Sequence, residues 1–256
     1  MTLIQRLLLA SVSSIAMAEA AGAADLATQD LTAPVNPIVV DTNGGFYLGS
    51  LNSLTFLDNT HFATAGARVS TDYDVGYYSA LRAGYSFGEM GYVSPRVELE
   101  VGYGNSSVDY HRVGGVNIGS TDSFGDATTI QGYVNGYLDI PLGTSDQGGL
   151  FGAVTPYIGG GVGFMNLELS RQGVSATGVV IDDDDTKFAY HLDAGVGINL
   201  QELGLFSNVA LFDNTTLDIA YRYTAANDFS LQARDGTSRN TDFSSHAVLF
   251  GFRKQF

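Results

Sequence analysis

An all-β fold, an eight-stranded antiparallel up-and-down barrel that crosses a membrane, is what this sequence predicts. Three observations predict it. About eight segments alternate apolar residues with small or polar ones, and a period of two means a strand, because successive side chains of a pleated chain point to opposite faces. The chain has 32 glycines, a dozen of them inside those segments, and so many argue against helices. The polar parity of the segments also carries acids and bases in near balance, as a narrow closed interior requires, since an unpaired enclosed charge is costly.

The chain opens with a targeting segment. Residues 1–6 carry a single arginine, residues 7–17 form a short apolar run, and Ala21-Gly22-Ala23 offers the small residues a signal peptidase needs, with Ala16-Met17-Ala18 as a second candidate. The first site gives a signal peptide of residues 1–23 and a mature start at Ala24-Asp25. The apolar run is too short to span a bilayer as a helix, and no later stretch reaches roughly 18 apolar residues. Residues 24–43, with Pro34 and Pro37, read as an extended leader, and residues 44–256 as the barrel domain.

The first strand is expected over 46–56. The second, 77–87, sets Tyr77, Leu81, Ala83, Tyr85 and Phe87 against Tyr78, Ala80, Arg82, Gly84 and Ser86. In the third, 95–103, Val97, Leu99, Val101 and Tyr103 oppose Arg96, Glu98, Glu100 and Gly102. The fourth, 129–140, sets Ile130, Val134, Leu138 and Ile140 against Gln131, Tyr133, Asn135, Tyr137 and Asp139. The fifth spans 156–169. The sixth, 186–200, turns Phe188, Tyr190, Leu192, Val196 and Ile198 away from Lys187, His191, Asp193 and Asn199. The seventh, 215–224, alternates Leu217, Ile219, Tyr221 and Tyr223 with Thr216, Asp218, Ala220 and Arg222. The last, 244–256, places Phe252, Phe250, Val248 and His246 on one face and Arg253, Gly251, Leu249 and Ala247 on the other. Residues 58–74, 105–126, 170–185 and 225–241 read as loops at one end. The connections 88–94, 141–155 and 201–213 lie at the other.

The polar parity collects five cations (Arg82, Arg96, Lys187, Arg222, Arg253) and six anions (Glu98, Glu100, Asp139, Glu168, Asp193, Asp218). Eight strands leave an interior just wide enough for side chains. Such a ladder of paired charges fills it, and the apolar parity faces lipid with tyrosines near the strand ends. A soluble barrel alternates too, but buries its apolar set and has no reason to balance its wet face. The net charge of −15 and pI near 4.3 fall in loops and leader and exclude nucleic acid as a partner. There is no cysteine, hence no disulfide and no thiolate metal site. No cofactor is expected.

A closing strand that finishes on Phe256, with Phe252 and Phe250 on the same face, resembles the last strand of bacterial outer-membrane β-barrels. Together with the signal segment, the balanced polar face and the end-weighted tyrosines, it resembles the small outer-membrane barrel family of the OmpA/OmpX type, and its alphaproteobacterial members especially, over about residues 44–256. The resemblance implies a Gram-negative outer membrane, periplasmic termini and extracellular long loops. It implies outer-membrane lipid and lipopolysaccharide as surroundings, and Phe256, Phe252 and Phe250 as a signal for the barrel assembly machinery. It also implies an attachment to peptidoglycan through the free amine of Ala24, followed by Asp25. The function implied is a non-enzymatic barrel serving envelope integrity and surface interactions. A narrow passive pore is one alternative, and a lipid A-modifying enzyme on the barrel wall another.

For that enzyme, Ser244 and His246 share the outward parity, but family deacylases carry the histidine before the serine, and the seventh strand offers no outward carboxylate. Asp182, Asp183, Asp184 and Asp185 are a weak cation candidate. Consecutive aspartates without an intervening glycine do not match a helix-loop-helix calcium site, and the run reads as a solvated acidic loop. The four histidines lie in no metal spacing. Gly159 to Gly163 precede no helix, so they form no phosphate loop and permit close packing or strong strand coiling instead.

Overall fold

The computed structural model describes residues 44–64, 66–90, 92–142, 153–201 and 213–256. The expected signal peptide and leader lie outside these residues, as do most of the connections 141–155 and 201–213. The strands are β1 (Gly45–Leu57), β2 (Thr60–Thr64), β3 (Ala67–Tyr73), β4 (Gly76–Ser86), β5 (Ser94–Val113), β6 (Val116–Ile118), β7 (Ser123–Asp139), β8 (Val154–Val174), β9 (Gly178–Asn199), β10 (Thr215–Gln232) and β11 (Ser238–Gln255). Eight of them, β1, β4, β5, β7, β8, β9, β10 and β11, pair antiparallel in chain order, and β11 closes on β1 from Tyr47 opposite Gln255 to Leu57 opposite Ser245. This is the expected up-and-down barrel, with no open sheet edge around the ring. No helix among the described residues is long and apolar enough to cross a membrane.

The orientation of the wall follows β5. Val97, Leu99 and Val101 are 47%, 60% and 66% exposed, whereas Arg96, Glu98 and Glu100 are 2%, 2% and 1% exposed. Apolar side chains therefore look outward and charges look in, the reverse of a water-soluble barrel. The same holds for Ile130, Val134 and Leu138 on β7, Phe188 and Leu192 on β9, and Ile219 and Val248 on β10 and β11, all exposed. On β1 two polar residues, Ser50 and Asn52, have outward parity but are covered, and Asn52 accepts a hydrogen bond from Ser79 Oγ at 2.9 Å.

The polarity of the wall inverts part-way up the strands, which sequence reasoning missed. On β8 the outward residues run Ile158, Val162 and Phe164, then Asn166 and Glu168. The inward ones run Tyr157, Gly159, Gly161 and Gly163, then Met165, Leu167 and Leu169, each of these three 0% exposed. Below Phe164 the strand is written for lipid outside and charge inside. Above it, the strand is written for water outside and a greasy core inside. β8 and β9 run 21 and 22 residues, about twice the 9 to 11 a tilted membrane strand needs, and the surplus forms this extension.

Inside the extension Phe62, Val69, Ala127, Met165, Leu167, Leu169, Ile181, Phe229, Leu231 and Phe243 pack into one apolar cluster, with Leu57, Tyr73, Val113 and Val180 against it. It sits over the polar interior like a stopper. Phe62 and Val69 come from β2 and β3, which continue the walls begun by β1 and β4 after breaks at 58–59 and 74–75. His61 N donates to Thr241 Oγ1 at 2.9 Å, tying β2 to β11.

Four expected loops are thus corrected. Residues 58–74 form the β2–β3 hairpin. Most of 105–126, 170–185 and 225–241 is strand, turning only at 114–115, 119–122, 175–177 and 233–237. Each correction coincides with a bulge: one extra residue on β5 opposite Asp72 and Tyr73, one irregularity between Leu169 and Gln172 on β8, one between Ala226 and Phe229 on β10. Arg171 (φ 46°) and Asp228 (φ 63°) mark two of these in the left-handed region. A bulge switches which parity points inward, so a count by twos stops there.

His111 lies within the extension, 1% exposed, edge-on to Phe62 at 6.1 Å and with Nδ1 3.0 Å from Thr71 Oγ1. Burial holds the imidazole below its ordinary value, opposed only partly by carbonyls of Phe124 and Gly173. The folded chain therefore binds this proton less readily than the unfolded chain, so its contribution to stability is present above about pH 6.5 and is lost as pH falls below that value. Protection of the β3 and β5 amides around it, taken relative to the intrinsic exchange rate at each pH, should fall between pH 7.5 and 5, and His111→Gln should remove the part of that pH dependence due to this ring.

Candidate functional site

The barrel interior below the stopper is a continuous network of charges. At the end nearest the chain termini, Arg96 Nε donates to Asp139 Oδ1 at 3.0 Å, and its guanidinium lies 3.9 Å over the Tyr137 ring and 4.9 Å over Tyr157. Arg253 Nη1 donates to Asp139 Oδ2 at 3.3 Å, and its Nε stands 3.3 Å from Asp218 Oδ2. Arg82 Nη2 donates to the same Asp218 oxygen at 2.5 Å. Glu98 lies between Arg82 and Arg96 at 3.8 and 3.5 Å and accepts from Tyr47 OH at 3.0 Å.

One layer higher, Arg222 forks onto Glu100 through Nη1 at 2.6 Å and Nη2 at 3.0 Å, and reaches Asp193 through Nε and Nη2, both at 2.8 Å. Tyr78 OH donates to Glu100 at 2.8 Å, and Tyr137 OH to Asp193 at 2.9 Å. Asn135 Nδ2 donates to Glu98 at 3.1 Å and Glu100 at 3.2 Å, which fixes its Oδ1 toward His191 Nε2 at 2.9 Å. His191 Nδ1 stands 3.0 Å from Asp193 Oδ1. The two ring nitrogens of His191 thus lie between Asn135 and Asp193. Arg82, Arg96, Arg222 and Arg253 interleave with Glu98, Glu100, Asp139, Asp193 and Asp218, all but Arg253 among the buried residues.

All nine ladder residues expected from the sequence are brought together here. Two others placed on the polar face are not. Glu168 shares its outward row with Thr128 and Asp184, above the polarity inversion, and Lys187 pairs with Asp185 at 3.0 Å outside the ladder. His191 and Asn135 are the members that sequence reasoning did not count; their inward parity between Tyr133, Tyr137 and Asp193 is the signal that could have found them. The glycine run of β8 makes room for them: a Cβ at Gly159 would collide with the Tyr137 ring, and one at Gly161 with Asn135 and His191. Between ladder and stopper lies a hollow of about 30 Å³, lined by Ser53, Thr129, Gln131, Arg222 and Ser245 among others, which is room for one or two waters.

With the ring, the outward apolar band and the plugged interior established, comparison with known families is decisive. A profile of the outer membrane protein β-barrel domain matches residues 7–256. The chain belongs to that family. Its place is accordingly the Gram-negative outer membrane, and the exposed apolar residues are its lipid face.

No curated protein sequence matches the chain. Among solved structures, Neisserial surface protein A is 17% identical, with a TM-score of 0.43, over 83% of this chain and 97% of that one. OprG of Pseudomonas aeruginosa is 14% identical, with a TM-score of 0.45, over 84% and 97%. The outer membrane protease OmpT of Escherichia coli is 8% identical, with a TM-score of 0.40, over 84% and 96%.

On the outer wall of this family member, Ser244 and His246 do not form a nucleophile–base pair. Ser244 Oγ donates to Asp58 Oδ2 at 2.5 Å, while His246 Nδ1 shares a 2.5 Å hydrogen bond with Tyr221 OH and stacks obliquely near Tyr223. An outward carboxylate is therefore present, supplied from just past the end of β1 rather than by the seventh strand, and it holds the serine instead of a histidine.

Asp182 to Asp185 lie on β9, not in a loop, and their carboxylates have structural partners. Beyond Ala226 opposite Ala189, β10 leaves its register with β9. Asp185 and Asp183 then accept the Ser230 and Gln232 amides, both at 2.7 Å, Asp182 accepts the Arg171 amide at 3.0 Å, and Asp184 takes Asn166 Nδ2 at 2.8 Å. Among the described residues no group of three or more acidic, histidine or cysteine side chains is placed to hold a metal. Phe250 and Phe252 keep outward parity on β11, and the Phe256 amide donates to the Phe46 carbonyl at 2.9 Å. Ala24 and Asp25 lie outside the described residues.

Proposed function

We propose that this is a non-enzymatic integral barrel that strengthens the outer membrane and carries an interaction surface on its extended hairpins. In this reading the termini are periplasmic, the hairpins of the extension are extracellular, Phe250, Phe252 and Phe256 are read by the barrel assembly machinery, and the Ala24 amine joins peptidoglycan. The single observation that supports it best is the sealed interior. A ladder of paired charges is overlain by an apolar stopper, so the described residues offer no open polar conduit, and Ser244 and His246 do not form a nucleophile–base pair.

The test is single-channel recording of the refolded protein in planar bilayers. The expected result is a bilayer that stays at its baseline current. Stable ohmic steps that change when Arg96 or Arg222 is replaced would favour the narrow pore instead. For the tether, sacculi digested with lysozyme should release chain carrying a muropeptide on Ala24, and a free Ala24 amine throughout would remove that part. Protease added to intact cells should cut the hairpins and spare the termini.

A further inference from the structure

The tip of the extension holds a second concave site, unrelated to the ladder. A hollow of about 230 Å³ is lined by the polar His61, Arg68, Ser70, Arg112 and Arg239 and also by the buried apolar Phe62 and Val69. The polar lining arrives from four strands, and the arginines from three of them, β3, β5 and β11. His61 on β2 lies opposite Ser70 on β3, which lies opposite Arg112 on β5, so these three form one cross-strand row. Arg68 is two residues from Ser70 on the same face, and Arg239 comes from β11, the strand to which the His61 amide is tied through Thr241.

In a chain of net charge −15 with only 12 lysines and arginines, three arginines around one hollow need a reason. Two other cations of the extension have acid partners, Lys187 in Asp185 and Arg234 in Asp182, while Arg171, alone on its bulge, has none within ion-pair distance among the described residues. Among the described residues no carboxylate lies within ion-pair distance of Arg68, Arg112 or Arg239. Carboxylates on the same hairpins are engaged elsewhere, Asp72 with Asn59 Nδ2 at 3.0 Å and Asp235 with Thr64 Oγ1 at 3.2 Å. Arg112 is steadied by its Nε, which donates to Asn117 Oδ1 at 2.7 Å, and no hydrogen bond from its terminal amino groups is formed among the described residues.

We infer that this hollow binds an anion carrying two or more phosphate or sulfate groups. Guanidinium groups present planar forks that match tetrahedral oxyanions, and gathering three like charges without counter-ions is unfavourable until such an anion fills the space between them. The hollow has the volume of several waters, at about 30 Å³ each, enough for two such groups. Its height narrows the source. Arg112 lies nine residues beyond Tyr103, the last outward aromatic of the lipid band on β5, which at about 3.3 Å per residue and a tilt near 40° is on the order of 20 Å above the band. Phosphates at the membrane surface itself are out of reach. An oligoanion in solution, or one borne on the outer sugars of lipopolysaccharide, is within it. The site requires only that the hairpins lie in water, so it stands whichever side of the membrane they face.

Protein in phosphatidylcholine nanodiscs, titrated calorimetrically with inositol hexakisphosphate, should bind saturably, and should bind inorganic phosphate far more weakly. Affinity should fall steeply with salt. R112Q/R239Q should weaken binding by about tenfold or more for each arginine removed, while R112K/R239K should retain an intermediate affinity. Heat-modifiable gel migration establishes that each variant is folded before titration. If nanodiscs containing lipopolysaccharide occlude the titrant, the anion is the sugar phosphate of that lipid; if they do not, it is a soluble oligoanion. The inference is overturned if no saturable binding occurs, or if folded R112Q/R239Q binds like the unaltered protein. Protease accessibility in cells reads the orientation separately, so either can fail without the other.

Discussion

Arg222→Met should cost the folded barrel about 3–5 kcal/mol, read as the shift in reversible guanidinium unfolding in phospholipid vesicles. The reason is what it leaves behind rather than what it removes. Arg222 satisfies Glu100 with two parallel hydrogen bonds and Asp193 with two more, and these carboxylates are 1% and 6% exposed. Without the guanidinium, two anions share a closed space with only Tyr78, Tyr137, Asn135 and His191 to stabilise them. Neutralising the acids should therefore rescue the variant: the triple change R222M/E100Q/D193N should recover most of the loss, because replacing all members of a buried ionic group is far milder than removing one. A single variant as stable as the parent, or a triple variant no better than the single, would show that the ladder does not act as an interdependent electrostatic unit.

The ladder was legible because a membrane strand is written in two alphabets at period two, and in β5 and β10 each is spoken without interruption: Arg96, Glu98 and Glu100 against Val97, Leu99 and Val101; Asp218, Ala220 and Arg222 against Ile219 and Tyr221. Above the lipid band the same strands keep their period but exchange alphabets, and the bulges near Tyr110, Arg171 and Asp228 shift the parity as well. A reading that follows one face for grease and the other for charge loses the strand where both changes fall, near Asn105, Ser170 and Ala225. Glu168 was assigned to the lumen for this reason: it has the polarity of the interior but lies past the inversion, where polar means outward. The acidic run of β9 misled in a related way. Four consecutive aspartates look like a loop, but their oxygens take amides that β10 exposes when it parts from β9. The Ser244–Asp58 hydrogen bond and the arginine hollow escaped because both join residues far apart in the chain, across the β1–β11 closure and the β2–β11 approach, and no local pattern encodes which strands meet there.

The inversion also supplies a sharp test of where the membrane lies. Leu99 sits on the outer face of β5 between Ala83 and Val134, in the middle of the apolar band, and is 60% exposed. Leu99→Arg should destabilise the barrel by about 2–4 kcal/mol in vesicles, because the guanidinium must either enter hydrocarbon or drag headgroups and water inward. Ser107 lies on the same strand and face eight residues further on, exposed, with its hydroxyl donating to Asp126 at 2.8 Å. Ser107→Arg should cost little, since the new cation lies in water beside Asp126, where an exposed ion pair is worth at most about 1 kcal/mol. The contrast matters more than either value. Both changes put the same side chain on the same face of the same strand, so β-propensity and strand pairing nearly cancel, and the difference reports the solvent outside the wall. Equal effects at the two positions would mean that the change from Val101 and Tyr103 to Asn105 and Ser107 does not mark the edge of the bilayer, and that the apolar cluster around Phe229 and Leu167 lies at membrane depth. Unequal effects of the predicted sign place the boundary between Tyr103 and Ser107 and leave that cluster as the core of a small water-facing barrel built on top of a lipid-facing one.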